Sequence, residues 1–260
     1  MSWNHLKRWE RSVLAPLFAD HRASFLIDAV VEGHLGDAMV DDPASPNVAM
    51  LVYADVAVFG GDAGHPRARR LAEQLPEERA VLPSSEAWHA VLTDVHGDLL
   101  VPIERFAFSD KALDAVRLRQ LASNVPTGYE VRRIDERIAE LIVADPSLIS
   151  PDHVRHFDSP VDFVERGIGY CAVQDGVIVA GASSYAICDA GIEVQVNTHE
   201  SHRGNGLATV LSARLIAEVL DQGLAAHWDA ANEISSRLAV KLGYTPTSIY
   251  VAWVRIPADG

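Results

Sequence analysis

The sequence contains only two cysteines, Cys171 and Cys188, among its 260 residues. Both lie in apolar segments, and their spacing does not match a metal-binding pattern. This usage excludes a disulfide-rich scaffold and favours buried, reduced thiols over a disulfide, a metal ligand or a nucleophile. We therefore assign neither cysteine a chemical role.

Long apolar runs and excess positive charge are also missing. No apolar segment approaches the roughly 20 residues that span a bilayer, and residues 1–21 lack the uninterrupted apolar region of a signal peptide. The net charge of −14 at pH 7 repels polyanions, which argues against an extended nucleic-acid interface. We expect a cytoplasmic protein with no membrane or nucleic-acid partner.

The remaining composition, 48% apolar and 22% charged, is typical of a folded globular protein. A chain of this length exceeds a comfortable single core, so we expect two domains. The segment "SNVPTG" at residues 123–128 is rich in turn-forming residues and provides a joint. We predict a smaller N-terminal α/β domain over residues 1–126 and a second domain over residues 127–260.

The hydrophobic patterns predict alternating strands and helices in both domains. In the first, helical segments up to about Asp42 precede a strand "NVAMLVYADVAVFGG", a helix "HPRARRLAEQLP", a strand "RAVLPS", a helix "SEAWHAVLTDVHG" and a strand "LLVPIERFAFS". In the second, "YEVRRIDERIAELIVAD" predicts a strand and a helix, and "SPVDFVERG" another helix. The turns "QDG" and "CDAG" then connect three antiparallel strands.

The segment "IEVQVNTHESHRGNGLATVLSARLIAEVL" combines a strand, a glycine loop and a helix that ends before Gly223. The strand alternates apolar side chains on one face with Glu193, Gln195 and Asn197 on the other. Glycine lets the backbone approach a pyrophosphate, and the helix start directs unpaired N–H groups at it. The segment therefore predicts a phosphate site, with a tight turn that binds no ligand as the alternative. A nucleoside triphosphate site is disfavoured because "SHRGNG" lacks the G-K-[ST] ending.

Downstream, "LAAHWDAANEISSRLAVKLGY" predicts a strand, then Asn232, then a helix from about Glu233 that is closed by Gly243 and Tyr244. With "SHRGNG" and "NEISSRLAVKLGY" in this order, the stretch from about Tyr129 to Val254 resembles the GNAT superfamily of N-acetyltransferases. The loop matches the family pattern [QR]-x-x-G-x-[GA] except at its first place. The wider run resembles bacterial GNAT proteins that carry this module behind a separate N-terminal domain.

The resemblance implies an α/β (α+β) GNAT fold whose central sheet is mixed, mostly antiparallel and flanked by helices. It also implies acetyl-CoA as co-substrate, no metal, and direct transfer of the acetyl group to an amine of a small molecule or a peptide. The N-terminal domain could shape the acceptor pocket, mediate homodimerisation, or be a degenerate GNAT-like copy.

By the same resemblance, one set of residues is expected to bind acetyl-CoA. The pantetheine arm is expected to lie along Val196, Asn197 and Thr198, and the pyrophosphate among His202, Arg203, Gly204, Asn205, Gly206 and Leu207. Asn232 matches a residue whose side chain bonds the cofactor. The alternative for Asn232 is a helix N-cap, and the two roles are compatible.

The sequence departs from the family at two positions. Ser201 stands where the usual residue is Gln or Arg, and Ala239 stands where many members have a tyrosine that protonates the leaving thiolate. A tyrosine acid is therefore unavailable at that position, and Tyr244 and Tyr250 are expected to be packing residues. This loss keeps a catalytically silent CoA-binding or sensory module as the alternative function.

An alkylammonium group with a pKa near 10 must lose a proton before it attacks the thioester. The candidate bases are Glu193, His227 and Asp229, and a single predicted strand puts the last two on one face. His227 is preferred because its ordinary pKa near 6.5 leaves it mostly neutral. A buried, hydrogen-bonded histidine and structural carboxylates are the alternatives. A backbone N–H of "IEVQVNT" is expected to stabilise the oxyanion.

Overall fold

A computed structural model describes residues 3–19, 21 and 24–258 of the chain. The strands are β1 (Asn4–His5), β2 (Asp37–Val40), β3 (Val48–Tyr53), β4 (Val56–Gly61), β5 (Arg79–Pro83), β6 (Leu100–Ser109), β7 (Glu130–Arg133), β8 (Gly169–Gln174), β9 (Val177–Cys188), β10 (Gly191–Thr198), β11 (Ala225–His227), β12 (Asp229–Ala230) and β13 (Thr245–Arg255). The α-helices are α1 (Ser24–Val31), α2 (Ala68–Ala72), α3 (Glu86–His96), α4 (Ala115–Ala122), α5 (Glu136–Ala144), α6 (Pro160–Arg166), α7 (Leu207–Asp221) and α8 (Glu233–Leu242). Short 3-10 helices span Arg8–Leu17, Gly97–Leu99, Pro151–His153 and Glu200–His202.

The chain forms two compact units. The first contains residues 1–105 and 250–260, and the second contains residues 106–249. Strands β6 and β13 each begin in one unit and end in the other. The domain boundary between residues 126 and 127 stays a prediction, while the mixed α/β class with helix-flanked mixed sheets is confirmed.

The first unit is built on strands β1 to β5 and the end of β13. Strands β1 to β4 pair antiparallel in chain order, β4 and β5 pair parallel, and β5 pairs antiparallel with β13. Phe59 and Trp88 are fully buried in its core, with their ring centroids 5.2 Å apart.

Two predictions for the first unit are wrong. The run "NVAMLVYADVAVFGG" is a hairpin of β3 and β4, because Ala54 takes a left-handed conformation and Tyr53 pairs with Val56. Ala-Asp is not among the dipeptides that favour such a turn, so no local pattern indicated a hairpin there. The region up to Asp42 also contains β1 and β2 in addition to helices, because these short strands are stabilised by pairing and not by propensity.

The second unit contains a five-stranded sheet in the order β11-β10-β9-β8-β7. Every pair is antiparallel except β10–β11, which is parallel. The predicted mixed, mostly antiparallel sheet is therefore confirmed. Helix α7 contacts β8, β9 and β10, and Gly223 follows it with a φ of 75° as the expected helix stop. Helix α4 was not predicted; it is capped by Asp114 and packs against α7.

The single strand predicted over "LAAHWDAAN" is two strands. β11 pairs with β10, whereas β12 pairs with β6 at Phe106 and Ala107. Trp228 lies between them, is buried, and donates from Nε1 to Ser235 Oγ at 3.1 Å. A change of partner does not alter the two-residue alternation of side chains, so the sequence pattern could not show it.

Both cysteines are free and buried, as predicted. Burial raises the pKa of the Cys171 thiol to about 12, which makes this thiol inert near neutral pH. Among the described residues, no helix combines the length and the apolarity required to cross a membrane.

Candidate active site

The site begins where β10 loses one of its two neighbours. β10 pairs with β11 only through Gly191–Glu193. The next strand, β12, pairs with β6 instead of β10. Along residues 194–198, β9 is the strand partner on one side, and no described strand pairs with β10 on the other. An extended ligand with amide groups can therefore hydrogen-bond to this stretch of backbone.

The loop between β10 and α7 holds its glycines in a special conformation. Gly204 and Gly206 both have a φ of 83°, and a Cβ at either would meet no atom within 4 Å. Gly206 is the N-cap of α7, and its carbonyl accepts the N–H of Val210. The first N–H groups of α7 have no acceptor within the helix and are directed towards its N-terminal end, as a phosphate site requires.

Side chains of the loop are fixed by a residue that the sequence analysis missed. Tyr129 places its hydroxyl 3.1 Å from His202 Nδ1 and accepts from Asn205 Nδ2 at 3.3 Å. Asn205 also donates to the His202 carbonyl at 3.0 Å, and Arg203 Nε donates to the Thr198 carbonyl at 3.2 Å. Tyr129 lies 73 residues before His202, and no local pattern indicates their contact.

The residues present fit acetyl-CoA. The open space before Gly204 and Gly206 can admit a pyrophosphate, and Arg203 supplies a positive charge beside it. Thr198 Oγ1 is buried and has no hydrogen-bond partner among the described residues, so it can bond a ligand group. The predicted pantetheine and pyrophosphate residues thus form one continuous run from Val196 to Leu207.

Asn232 is the N-cap of α8. Its Oδ1 accepts the N–H of Ser235 at 3.0 Å, so the N-cap alternative is confirmed. A contact between Asn232 and the cofactor stays a prediction.

The three candidate bases lie together at the point where β10 and β11 separate. Glu193 pairs with His227 in the strand register, and its carboxylate accepts from His227 Nδ1. The other Glu193 oxygen accepts the backbone N–H of Asp229 at 3.1 Å. Glu193 is 7% exposed, so its charge is held by these two donors with little help from water.

The environment of His227 favours the protonated ring. Burial alone would lower its pKa, but the charge of Glu193 and its hydrogen bond, together with Asp229 and Asp110, raise the pKa of His227 to about 9. The expectation that His227 is mostly neutral at pH 7 is therefore wrong. The sequence could not show which carboxylates surround the ring, and Asp110 was not among the predicted residues.

Tyr244 packs against the same strands. It is buried, its hydroxyl donates to the Ala226 carbonyl at 2.7 Å, and its ring lies 5.6 Å from that of Trp228. Burial, with Glu193 and Asp110, raises the pKa of Tyr244 well above its ordinary value. These contacts are those of the expected packing residue. Ala239, in α8, is fully buried.

The family model described as GNAT acetyltransferase matches residues 15–253. The chain belongs to the GNAT acetyltransferase family. This match includes much of the first unit as well as the second.

Relatives of this GNAT protein match it over nearly their full lengths. The uncharacterized N-acetyltransferase YdfB of Bacillus subtilis is 24% identical over 95% of this chain and 97% of its own. A GCN5-related N-acetyltransferase-like protein from Streptococcus suis is 31% identical, covers 95% of this chain and 98% of its own, and superposes with a TM-score of 0.83. A tandem GNAT protein from the clavulanic acid biosynthesis pathway is 16% identical and shares the fold over 99% of both chains, with a TM-score of 0.59.

Proposed function

We propose that the protein is an acetyl-CoA-dependent N-acetyltransferase that acetylates an amine of a small molecule or a peptide. The observation that carries the proposal is a continuous run of chain. It begins in the stretch of β10 that has no described strand partner on one side, passes through the glycine loop to α7, and lies beside Glu193 and His227. Metal ions are not part of the proposed chemistry.

The backbone of residues 196–198 would hold the pantetheine arm as a neighbouring strand would. Residues 202–207 would surround the pyrophosphate, with N–H groups from the start of α7 and charge from Arg203. When bound, acetyl-CoA supplies a thioester whose carbonyl carbon the acceptor amine attacks. The chain positions the amine against that carbon, and positioning would supply much of the acceleration.

His227 would take the proton from the acceptor. Its Nδ1 donates to Glu193, so in the neutral ring Nε2 carries the lone pair that accepts a proton. A base with a pKa of about 9 is well matched to an alkylammonium with a pKa near 10. Glu193 would orient the ring and raise its basicity, and Asp229 would add negative charge beside it.

The leaving thiolate receives no proton from the position of Ala239, which has no ionisable group and is fully buried. A thiol with a pKa near 8.5 leaves tolerably as the thiolate near neutral pH, so transfer without a dedicated acid is feasible. The alanine at position 239 also favours a second candidate function, that of a catalytically silent CoA-binding module.

A turnover assay with a calorimetric binding measurement tests both candidates. Acetyl-CoA is titrated into the protein, and thiol release is then followed with amino acids, polyamines, aminoglycosides and peptide N-termini as acceptors. Binding with turnover supports the transferase, and binding without turnover across the panel supports the silent module. Absence of binding at millimolar acetyl-CoA would overturn the cofactor assignment.

With an acceptor identified, kcat/KM should rise with pH along a limb with an apparent pKa of about 9, since His227 must be neutral to act. Glu193→Gln removes the charge that raises this pKa and should move the limb to lower pH. The profile is measured with two acceptors whose amines differ in pKa. A limb caused by His227 stays at the same pH for both, whereas a limb caused by the amine moves with the amine pKa. A limb that follows only the amine pKa would remove His227 from the mechanism.

Several finer expectations remain proposals. These are the domain boundary between residues 126 and 127, cytoplasmic residence, and homodimerisation. The shared fold with a tandem GNAT protein over 99% of both chains favours a degenerate GNAT-like copy in the N-terminal half.

A further inference from the structure

A fully buried histidine, His153, lies against β9 and β10 and has no part in the mechanism above. His153 ends the 3-10 helix Pro151–His153, which packs against β9 and β10, and the side chain is 0% exposed. A Cβ at Gly181 of β9 would lie 2.8 Å from His153 Nε2. Glycine at this position therefore makes the room that the imidazole occupies.

Both ring nitrogens of His153 have a side-chain partner. Nε2 lies 2.6 Å from Asn197 Oδ1, and Nδ1 lies 2.8 Å from Ser183 Oγ. Burial lowers the pKa of His153 to about 4, so the ring is neutral at pH 7 and carries one N–H. The carboxamide oxygen can only accept, so Nε2–H donates to Asn197. Ser183 Oγ lies 2.8 Å from Nδ1 and 3.2 Å from the His153 carbonyl oxygen, and its single hydroxyl proton serves one of these two acceptors.

This arrangement fixes the orientation of Asn197. With Oδ1 held by His153, the two hydrogens of Nδ2 point away from the imidazole. Asn197 is half-buried and lies in the stretch of β10 that has no strand partner on one side. Its carboxamide makes no other hydrogen bond within the described part of the chain. The free donors therefore match a ligand that offers a carbonyl oxygen along this strand.

We propose that His153 is a positioning residue that holds the Asn197 carboxamide ready to donate to a carbonyl oxygen of the pantetheine arm of acyl-CoA. This inference rests on the proposed function, because it needs acyl-CoA to lie along β10. His153 would act through Asn197 and would not touch the ligand.

Two substitutions of His153 separate positioning from packing. In His153→Gln, the side-chain amide can reach the position of Nε2 and still donate to Asn197. In His153→Asn, the shorter amide reaches only the position of Nδ1, so the bond to Ser183 can persist while the bond to Asn197 is lost. Asn197→Ala removes the proposed ligand contact, and Ser183→Ala removes the other bond of the ring.

Two probe ligands separate the pantetheine arm from the rest of the cofactor. Acetyl-CoA carries the arm, whereas 3′-phosphoadenosine 5′-diphosphate lacks it and can contact only the pyrophosphate loop and its surroundings. We expect His153→Asn and Asn197→Ala to weaken acetyl-CoA binding about tenfold, as for one lost hydrogen bond, without a change for the shorter ligand. His153→Gln and Ser183→Ala should bind both ligands nearly as the wild type does.

Each outcome is decisive once circular dichroism shows that the variants fold. A wild type that binds neither ligand contradicts the proposed function itself. A wild type that binds acetyl-CoA, with His153→Asn and Asn197→Ala unchanged, overturns the inference alone. Equal weakening of both ligands would show a structural role and would also overturn it. If His153→Asn does not fold, Asn197→Ala decides between these results.

Discussion

At the scale of single residues, the pairing of His227 with Glu193 makes the stability of the fold depend on the protonation of His227. The pKa of His227 is about 9 in the folded protein and about 6.5 in an unfolded chain, so the folded state binds the proton more tightly. The resulting stability is fully present below pH 6.5 and is lost as the pH rises through about 9.

We expect the free energy of unfolding of the wild type to fall by up to about 3 kcal/mol, relative to His227→Gln, between pH 6 and pH 9.5. Urea unfolding of both proteins at three pH values measures this difference, and the variant cancels the titration of other groups. A constant difference across the range would show that His227 is not strongly coupled to Glu193.

Gly206 permits a second test at the same scale, because the chain offers a matched control. Gly206 and Gly176 have φ values of 83° and 81°, and a Cβ at either meets no atom within 4 Å. Valine at each position should therefore cost a similar 1–2 kcal/mol of backbone strain, by the roughly 1–2 kcal/mol per residue of the left-handed region. Gly176 lies in the turn between β8 and β9, far along the chain from the loop between β10 and α7.

We expect Gly206→Val to lose acetyl-CoA binding, because the side chain enters the space before α7, while Gly176→Val binds normally. Calorimetric titration of both variants gives the comparison, with urea unfolding to show that their stabilities match. Normal binding by Gly206→Val would mean that the loop is a turn without a ligand.

At the scale of elements, the sequence predicted structures whose signals are local. The strand–loop–helix from β10 to α7 and the hairpins at "QDG" and "CDAG" were predicted because alternation, turn residues and helical spacing lie within one short window. The division into β11 and β12 was missed because it depends on β6, more than 100 residues earlier. Helix α4 was missed because its buried residues, Leu118 and Ala122, make only a short apolar pattern.

Asn232 caps helix α8 and is also predicted to contact the ligand. Asn232→Ala should destabilise the protein by about 1 kcal/mol through loss of the N-cap of α8, and Asn232→Ser should restore most of it, since serine also caps. Unfolding free energies test the cap, and acetyl-CoA affinities test the contact. Normal affinity in the serine variant would leave Asn232 with the cap alone.

At the scale of the whole molecule, the sequence predicted the family and the strand, loop and helix from β10 to α7, but not the residues that pack around them. Residues 196–207 are consecutive, so their motif is visible in the chain. Tyr129, His153 and Asp110 reach the site from elsewhere in the chain, and only the fold brings them there.

Acetyl-CoA should stabilise the whole protein by mass action if it binds only the folded state. At a concentration 100 times the dissociation constant, the expected gain is about 2.7 kcal/mol, seen as a higher Tm in a thermal scan. The gain should grow with ligand concentration in the wild type and vanish in Gly206→Val. A gain of equal size in both proteins would place the ligand away from the loop between β10 and α7.

The separation of β10 from β11 has one more consequence. Residues 194–198 form a sheet edge with no described strand partner on one side, and its backbone donors and acceptors can pair with a strand from another chain. A ligand along this edge would serve the protein as its missing strand. The unliganded protein must then protect the edge by other means, and its net charge of −14, which makes copies of the chain repel one another, is one such means.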